Sequence, residues 1–397
     1  MVTEVPKGYK RTEVGVIPKD WDIDFVGNLA SITTGSKNTQ DKREDGQYPF
    51  FVRSQIAERI NSFSYDGEAV LTAGDGVGTG KVFHYINGKF DYHQRVYKIS
   101  DFKKKLDGKF FYFYFSNHFY ARIMQMTAKS SVDSIRMEMI ADMQIPLPSY
   151  SEQKEISTAL NDIALLVDDL GMLIRKKKNL KKGVMHELLT GKKRLIGFKD
   201  KWIKKRLGEI AEIRDGTHQT PEYVASGIPF YSVENVTAND FKKTKFISEK
   251  EHSVLTKSYR IEKGDILMTR IGSIGDCKYV YWDVNASFYV SLALLKVKKG
   301  YSPQFIAHYS QSAYFKKEIE LNSLQSAIPK KINLGQISNV NLEIPETQEE
   351  QQAIALILSD MDVEIEELEQ KLDKYKAIKQ GLMQELLTGK RRLVTAE

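Results

Sequence analysis

The stretch Met185-His186-Glu187-Leu188-Leu189-Thr190-Gly191-Lys192-Lys193-Arg194-Leu195 returns as Met383-Gln384-Glu385-Leu386-Leu387-Thr388-Gly389-Lys390-Arg391-Arg392-Leu393, an offset of 198 residues (383 − 185). Self-similarity at half the length of a 397-residue chain decides the architecture, which is two copies of one unit. The copies share their beginnings as well. Trp21, Gly27, Ala30, Ile32 and Gly35 fall on Trp202, Gly208, Ala211, Ile213 and Gly216, Pro49-Phe50-Phe51 meets Pro229-Phe230-Tyr231, and Ile145-Pro146 meets Ile344-Pro345. The offset grows between these landmarks, so the middle of each copy differs by insertions while the frame is kept. One scaffold holding two different binding surfaces has that property.

Each copy reads as a mixed globular part followed by a long helix, an α+β chain with boundaries at 1–147, 148–195, 196–346 and 347–393. β-branched and aromatic runs (Ala69 to Thr72, Arg95 to Ile99, Asp265 to Thr269, Phe288 to Val297) alternate with Gly-rich turns. A shorter helix follows in each part, carrying Phe111, Phe115 and Tyr120 in the first and Phe305, Tyr309 and Tyr314 in the second. The run Phe110 to Phe115 has the composition of a base-stacking platform, but aromatics at helical spacing ordinarily fill a core, and core is the preferred reading.

From Glu152 to Leu189 no proline interrupts an apolar seam that advances by four and three: Ile156, Leu160, Ile163, Val167, Leu170, Ile174, then Val184 and Leu188. The second copy places Ile354, Leu358, Met361, Ile365, Leu368, Leu372, Tyr375, Leu382 and Leu386 on the same seam. This is a coiled-coil heptad, interrupted at Lys177, Lys181 and Lys379, with Gly191 and Gly389 as natural helix stops. Antiparallel pairing with Ile156 beside Leu386 sets Asp168 against Lys374, Arg175 against Glu367, Lys178 against Glu364 and Lys182 against Asp360. Parallel pairing instead sets Asp168 against Glu366 and Lys178 against Lys376, so charge selects the antiparallel arrangement. A helix of that length is a rod of roughly 55 to 60 Å, suited to holding two domains apart.

Lys and Arg total 59 against 52 Asp and Glu, a net charge of +7 that suits a polyanionic partner without identifying it. Cys277 is the only cysteine, which excludes an internal disulfide and a Cys-rich zinc cluster and fits a reducing compartment. The seven histidines show no metal-binding helical spacing, so no metal is expected. No stretch is long and apolar enough for a membrane span, and a soluble cytoplasmic protein without membrane contact is expected. Gly74-Asp75-Gly76-Val77-Gly78-Thr79-Gly80-Lys81 looks like a phosphate loop but lacks the Gly six residues before the Lys and the Ser or Thr after it. It reads either as a hairpin turn or as a loop whose amides and Lys81 meet nucleic-acid phosphate, and its counterpart is Gly272-Ser273-Ile274-Gly275, preceded by Arg270.

The opening Gly8-Tyr9-Lys10-Arg11-Thr12-Glu13-Val14-Gly15-Val16-Ile17-Pro18 with Trp21, the Gly74 to Gly78 segment, the Ile-Pro ends of both globular parts and the paired Leu-Leu-Thr-Gly helix ends resemble the specificity subunit of Type I restriction-modification systems. The order and duplication of these elements carry the resemblance over essentially the whole chain. It implies two target recognition domains on double-stranded DNA, each reading one part of an asymmetric site, with the coiled coil setting an unread spacer. It also implies assembly with two methyltransferase subunits and, in the full enzyme, motor-nuclease subunits. S-adenosylmethionine, ATP and Mg would then belong to those partners, with no cofactor and no catalytic residue in this chain. In keeping with this, no Asn-Pro-Pro-aromatic motif and no S-adenosylmethionine fingerprint is found.

Base edges in the major groove are read by side chains that present suitable donors and acceptors from loops. The first domain offers Arg53, Ser54, Gln55, His93, Gln94 and Arg95 beside Gly76, Gly78 and Lys81. The second offers Thr217, His218, Gln219, Thr220, Asn235, Arg270, Ser273, Lys330 and Lys331. The cations Lys192-Lys193-Arg194 and Lys390-Arg391-Arg392 either contact DNA or a methyltransferase subunit, or compensate a helix dipole. Two rival functions are a self-contained nuclease or methyltransferase, for which catalytic motifs are lacking, and a coiled-coil adaptor whose globular ends bind proteins.

Overall fold

The computed structural model describes residues 5–126 and 134–393. The chain forms two compact units, one of Met1–Met172 with Gln370–Glu397 and one of Leu173–Glu369. Each unit therefore takes its globular part from one repeat and helical segments from both.

In the first unit the strand Asp22–Phe25 pairs antiparallel with Gln144–Leu147, tying the two ends of the globular part together. Between them lies a six-stranded sheet in the order Ser31–Thr34, Val96–Ser100, Tyr65–Ala73, Phe83–Tyr92, Tyr48–Phe51, Glu58–Ile60, parallel only where Tyr48–Phe51 meets Phe83–Tyr92. The strand Tyr65–Ala73 ends in five consecutive buried residues because both its faces are covered. Val70 joins the core under the helix Gly108–Met126, while Ala69 and Leu71 join Phe51, Phe90, Tyr92 and Val96 on the other face. Phe110, Phe111, Phe113, Phe115 and Phe119 of that helix are all buried, with Phe115 edge-on to Phe83 at 5.4 Å. The aromatic run is core, as its spacing predicts.

The second unit repeats the plan. Trp202–Arg206 pairs antiparallel with Asn341–Pro345, and a sheet runs Ala211–Asp215, Leu292–Val297, Ile266–Ile271, Ser273–Tyr279. Here the equivalent of the long strand Phe83–Tyr92 is split, its second part Ser287–Phe288 pairing parallel with Ile228–Tyr231 in a separate sheet. Two-sided burial recurs: Ile266, Met268, Ala293 and Leu295 face the core below the helix Pro303–Tyr309, and Leu267, Leu292 and Leu294 face the opposite cluster. Cys277 lies within Ser273–Tyr279, where burial pushes its thiol up to about 12.

The long helices span Tyr150–Leu188 and Gln348–Leu386. In the first unit Ile156 and Leu160 pack with Leu386 and Leu387, and in the second Leu188 and Leu189 pack with Ile354 and Leu358, so the start of one helix meets the end of the other in both. Every predicted seam residue is buried or half-buried. The seam also continues through the lysines expected to break it. Lys177 and Lys181 occupy seam positions, with 30% and 12% of their side chains exposed, and reach out to Glu364 and Asp362. A four-carbon stem covers the apolar seam while the ammonium leaves it for a flanking carboxylate. Hence Lys177, rather than Lys178, meets Glu364, and Lys178 instead meets Glu369 at 2.6 Å.

Both helices end at a glycine in the left-handed region, φ +66° at Gly191 and +67° at Gly389. A Cβ at Gly191 would lie 3.1 Å from the Trp202 ring, and one at Gly389 2.5 Å from Pro18 and 3.1 Å from Trp21. The repeated Thr-Gly is thus the seat on which the tryptophan opening a globular part rests. Just beyond it, Arg194 binds Glu350, and Arg392 binds Glu152 and Asp20.

The first turn of each long helix buries a pair of polar residues, Glu152 and Gln153 in one and Glu350 and Gln351 in the other. Gln153 accepts the Asp107 N–H at 2.9 Å and donates to the Lys105 and Pro148 carbonyls, and Gln351 accepts the Ser302 N–H at 2.9 Å and donates to the Pro345 carbonyl. The same amide therefore joins helix to globular part in both units.

Candidate nucleic-acid interface

In the first unit, the loop leaving Ser31–Thr34 crosses one end of the sheet because Gly35 lies directly on the backbone of Tyr92 and His93. A Cβ there would stand 2.0 Å from the Tyr92 carbonyl oxygen. That approach lets Lys37 bridge to His93 and places Asn38 where its side chain accepts from Gln94 Nε2 at 2.6 Å. Facing this loop is Asp75 of the Gly-rich turn, with Arg53 Nη1 at 2.8 Å and Arg95 Nε at 3.6 Å from its two oxygens. The arginine side chains remain 45% and 65% exposed, so Asp75 aims them without consuming them. Arg53 lies against Gly76, and its backbone carbonyl against Gly78.

The Gly-rich turn is closed on itself by hydrogen bonds from Thr79 to the Gly76 carbonyl and from the Lys81 and Val82 N–H groups to the Gly78 carbonyl. Lys81 stands over the Tyr120 ring at 5.2 Å. Ser54 and Gln55 are exposed alongside, the Ser54 hydroxyl donating to the Ile56 carbonyl at 2.6 Å. The sequence-predicted residues of this domain therefore converge on one corner of the sheet. His93 is the exception in exposure: it is 5% exposed and its Nδ1 accepts the Arg95 N–H at 2.9 Å. Burial, reinforced by the Arg53 guanidinium, holds its pKa below the ordinary imidazole value. The structure makes it a buttress of the Arg95 backbone.

The second unit builds the same corner from other residues. Gly216 lies on Tyr289, where a Cβ would be 2.5 Å from the carbonyl oxygen, and Thr217 bridges to Tyr289. The hub is Asp215. Its carboxylate receives His218 Nε2 at 2.8 Å, the Gly216 N–H at 3.0 Å, and Arg270 Nη1. Thr217 donates to the Gln219 carbonyl at 3.3 Å, and the Thr220 and Tyr289 hydroxyls lie 3.3 Å apart. The turn at Gly272 is held by the Lys330 carbonyl at 2.9 Å, which brings Lys330 and Lys331 beside it. Lys330 Nζ pairs with Glu320 at 2.6 Å, and the Ser273 hydroxyl donates to Asp276.

Two predicted residues of this domain are withdrawn from the surface. Arg270 is 4% exposed and spends its guanidinium on Asp215 and the Ile332 carbonyl. Its backbone takes the place that Gly74 holds in the first unit, bonded to Ser291 and Ile332 as Gly74 is to Arg95 and Ile135. Asn235 is 6% exposed; its amide oxygen accepts the Ser232 N–H, and its amide nitrogen donates to the Asp240 and Lys243 carbonyls. Both are structural: the two N–H groups of the Asn235 amide are spent on carbonyls, and the Arg270 guanidinium is buried against Asp215. Arg194 and Arg392, weighed as contact residues, are likewise committed to buried carboxylates, whereas Lys192, Lys193, Lys390 and Arg391 are exposed.

Sequence reasoning missed the two hubs, Asp75 and Asp215, because a carboxylate is not itself a reader of an anionic ligand. It also missed Lys37 and Asn38, for which the matched Gly35 and Gly216 were the only sign. Among the described residues, no group of three or more His, Cys, Asp or Glu side chains converges as metal donors, and no helix is long and apolar enough to cross a membrane.

The family model described as the Type I restriction modification DNA specificity domain matches this chain twice, at residues 18–171 and 199–377. Over 411 residues the chain is 24% identical to the Type I restriction enzyme MjaVIII specificity subunit of Methanocaldococcus jannaschii, covering 95% of this chain and 94% of that one. Over 176 residues it is 31% identical to the Type I restriction enzyme EcoDI specificity subunit of Escherichia coli, covering 44% of this chain and 38% of that one. Its fold is similar to the crystal structure of the Type-I restriction-modification system S subunit from M. genitalium, with a TM-score of 0.69 at 18% identity, over 92% of this chain and 96% of that one.

Proposed function

The chain belongs to the family of Type I restriction modification DNA specificity domains, and on that premise we propose that it is the sequence-reading subunit of a Type I restriction-modification enzyme in the cytoplasm. It directs two methyltransferase subunits and, in the complete enzyme, motor-nuclease subunits to an asymmetric bipartite site on double-stranded DNA. Each globular part reads one half-site, and the paired long helices set the unread spacer. Methyl transfer, ATP hydrolysis and cleavage, with S-adenosylmethionine, ATP and Mg, belong to the partners.

One observation supports this reading above the others: the same sheet corner appears twice on a common frame and is furnished with different residues. Arg53 and Arg95 stand on Asp75 in one unit, with Gln94 bonded to Asn38, and His218 stands on Asp215 in the other, with Gln219 and Thr220 following it along the same loop. Two unlike sets of donors and acceptors suit two unlike base sequences. A flat cationic surface would suit phosphate without sequence.

The test is co-expression with the methyltransferase subunit of the same system and mapping of adenine methylation in host DNA. Methylation of a split motif only when this chain is present is the expected result. Exchange of residues 1–147 for those of a related subunit should then change one half of the motif. Robust methylation without the chain, or none in an otherwise active complex, would favour the adaptor reading instead.

A further inference from the structure

The Gly-rich turn of the first unit carries an exposed apolar side chain among cations. Val77, at its apex, is 99% exposed. The turn beneath it is anchored: a Cβ at Gly78 would come within 2.7 Å of the Arg53 carbonyl oxygen, and one at Gly80 within 2.5 Å of Ile123 Cδ1. The hydrogen bonds on the Gly76 and Gly78 carbonyls close it from within. A firmly seated turn thus carries an isopropyl group into water, beside the exposed side chains of Arg53, Arg95 and Lys81.

A cationic rim fits a polyanion, and a bare apolar apex within that rim fits an apolar point on that polyanion. Duplex DNA offers one in the major groove, the 5-methyl group of thymine, next to the acceptors that arginines read. Insertion between base pairs is done by longer or flatter side chains than valine. We propose that Val77 is a specificity-determining residue of the first domain, packing on the 5-methyl group of a thymine in the half-site that domain reads. This rests on the DNA-reading function proposed above. In the second unit the corresponding turn presents Ser273, its hydroxyl bonded to Asp276, so this turn supplies a methyl contact to one half-site only.

The experiment uses the chain in complex with its methyltransferase and duplexes carrying the mapped site, each thymine replaced in turn by deoxyuridine, which lacks only the methyl group. Binding of the unaltered complex should weaken roughly three- to tenfold at one thymine of the half-site changed by the 1–147 exchange. With Val77→Ala, which trims the exposed isopropyl group to a methyl and leaves the fold intact, that replacement should have a smaller effect, while deoxyuridine in the other half-site acts as before. Absence of a methyl-sensitive thymine in that half-site, or an unchanged thymine-to-deoxyuridine ratio in Val77→Ala, would overturn the assignment. Failure of the 1–147 exchange to move either half-site would instead remove the DNA-reading premise.

Discussion

Arg194 forks onto Glu350, Nε to Oε1 and Nη2 to Oε2, both at 2.6 Å, and the carboxylate it holds is completely buried. The two residues stand 156 positions apart. A buried carboxylate is tolerated only while it is paired, so removing the arginine leaves an uncompensated charge. Arg194→Ala should therefore cost about 3 kcal/mol of stability, and Arg194→Lys should recover only part of it because an ammonium cannot make the two-pronged contact. Urea denaturation of the purified chain or complex measures both.

His308 gives the second unit a pH dependence. Burial, with Lys181 nearby, lowers its pKa to about 4, while Nε2 lies 3.0 Å from the Ser359 hydroxyl and Asp362 lies 3.9 Å from Nδ1. The folded state favours the neutral ring, so the unfolded chain binds more protons between about pH 6.5 and 4. This contribution is complete above pH 6.5 and is lost as pH falls towards 4, by at most about 3 kcal/mol. Stability followed against pH should lose that slope in His308→Phe.

Asp75 restrains two arginines that would otherwise be free on the surface. Asp75→Asn should raise affinity for unrelated DNA by removing a negative charge, and lower the ratio of specific to non-specific binding by leaving Arg53 and Arg95 unaimed. Competition binding against both kinds of duplex at one salt concentration reads the two effects separately.

Arg53 and Lys81 should fail differently. Arg53→Ala should relax discrimination at one base pair of one half-site by about 1–3 kcal/mol, whereas Lys81→Ala should weaken binding to all sequences and flatten the salt dependence by about one unit. Equal losses across all sequences for Arg53→Ala would make it a phosphate contact.

Two glycines inside the long helices contrast with one just beyond them. Gly183 and Gly381 lie inside their helices with open space where a Cβ would go, and alanine at either should stabilise by about 0.5–1 kcal/mol. Gly389 combines φ +67° with Pro18 at 2.5 Å from the Cβ position, so alanine there should cost about 2 kcal/mol or more. Thermal denaturation of the three variants orders them.

The repeat and the heptad were legible because each is carried by many residues at fixed spacing, and the antiparallel direction because opposite charges face each other along the helices, although Glu364 pairs with Lys177 and not with the expected Lys178. The pairing of Glu152 with Arg392 and the bonding of Gln153 and Gln351 were also present in the sequence, as matches at the same 198-residue offset (350 − 152 and 351 − 153), but polar residues opening a helix suggest solvent and caps rather than a core. Lys177 and Lys181 looked like breaks because a lysine at a seam position gives no sign of where its ammonium will reach. In the candidate interface, residue types pointed to the right loops, yet Arg270, Asn235 and His93 turned inward. That choice depends on Asp215, on the carbonyls around Asp240 and on the Arg95 backbone, all brought close only by folding.

Leu386, Leu387 and Arg392, which complete the first unit, are synthesised after the whole of the second. Until then Ile156 and Leu160 lack Leu386 and Leu387, and the Glu152 carboxylate lacks its arginine. The second unit, contiguous from Leu173 to Glu369, can assemble sooner. Maturation therefore runs against the order of translation: the domain made first is finished last, and a message cut short before the second Thr-Gly yields a first domain with an open apolar seam, a substrate for chaperones and proteases.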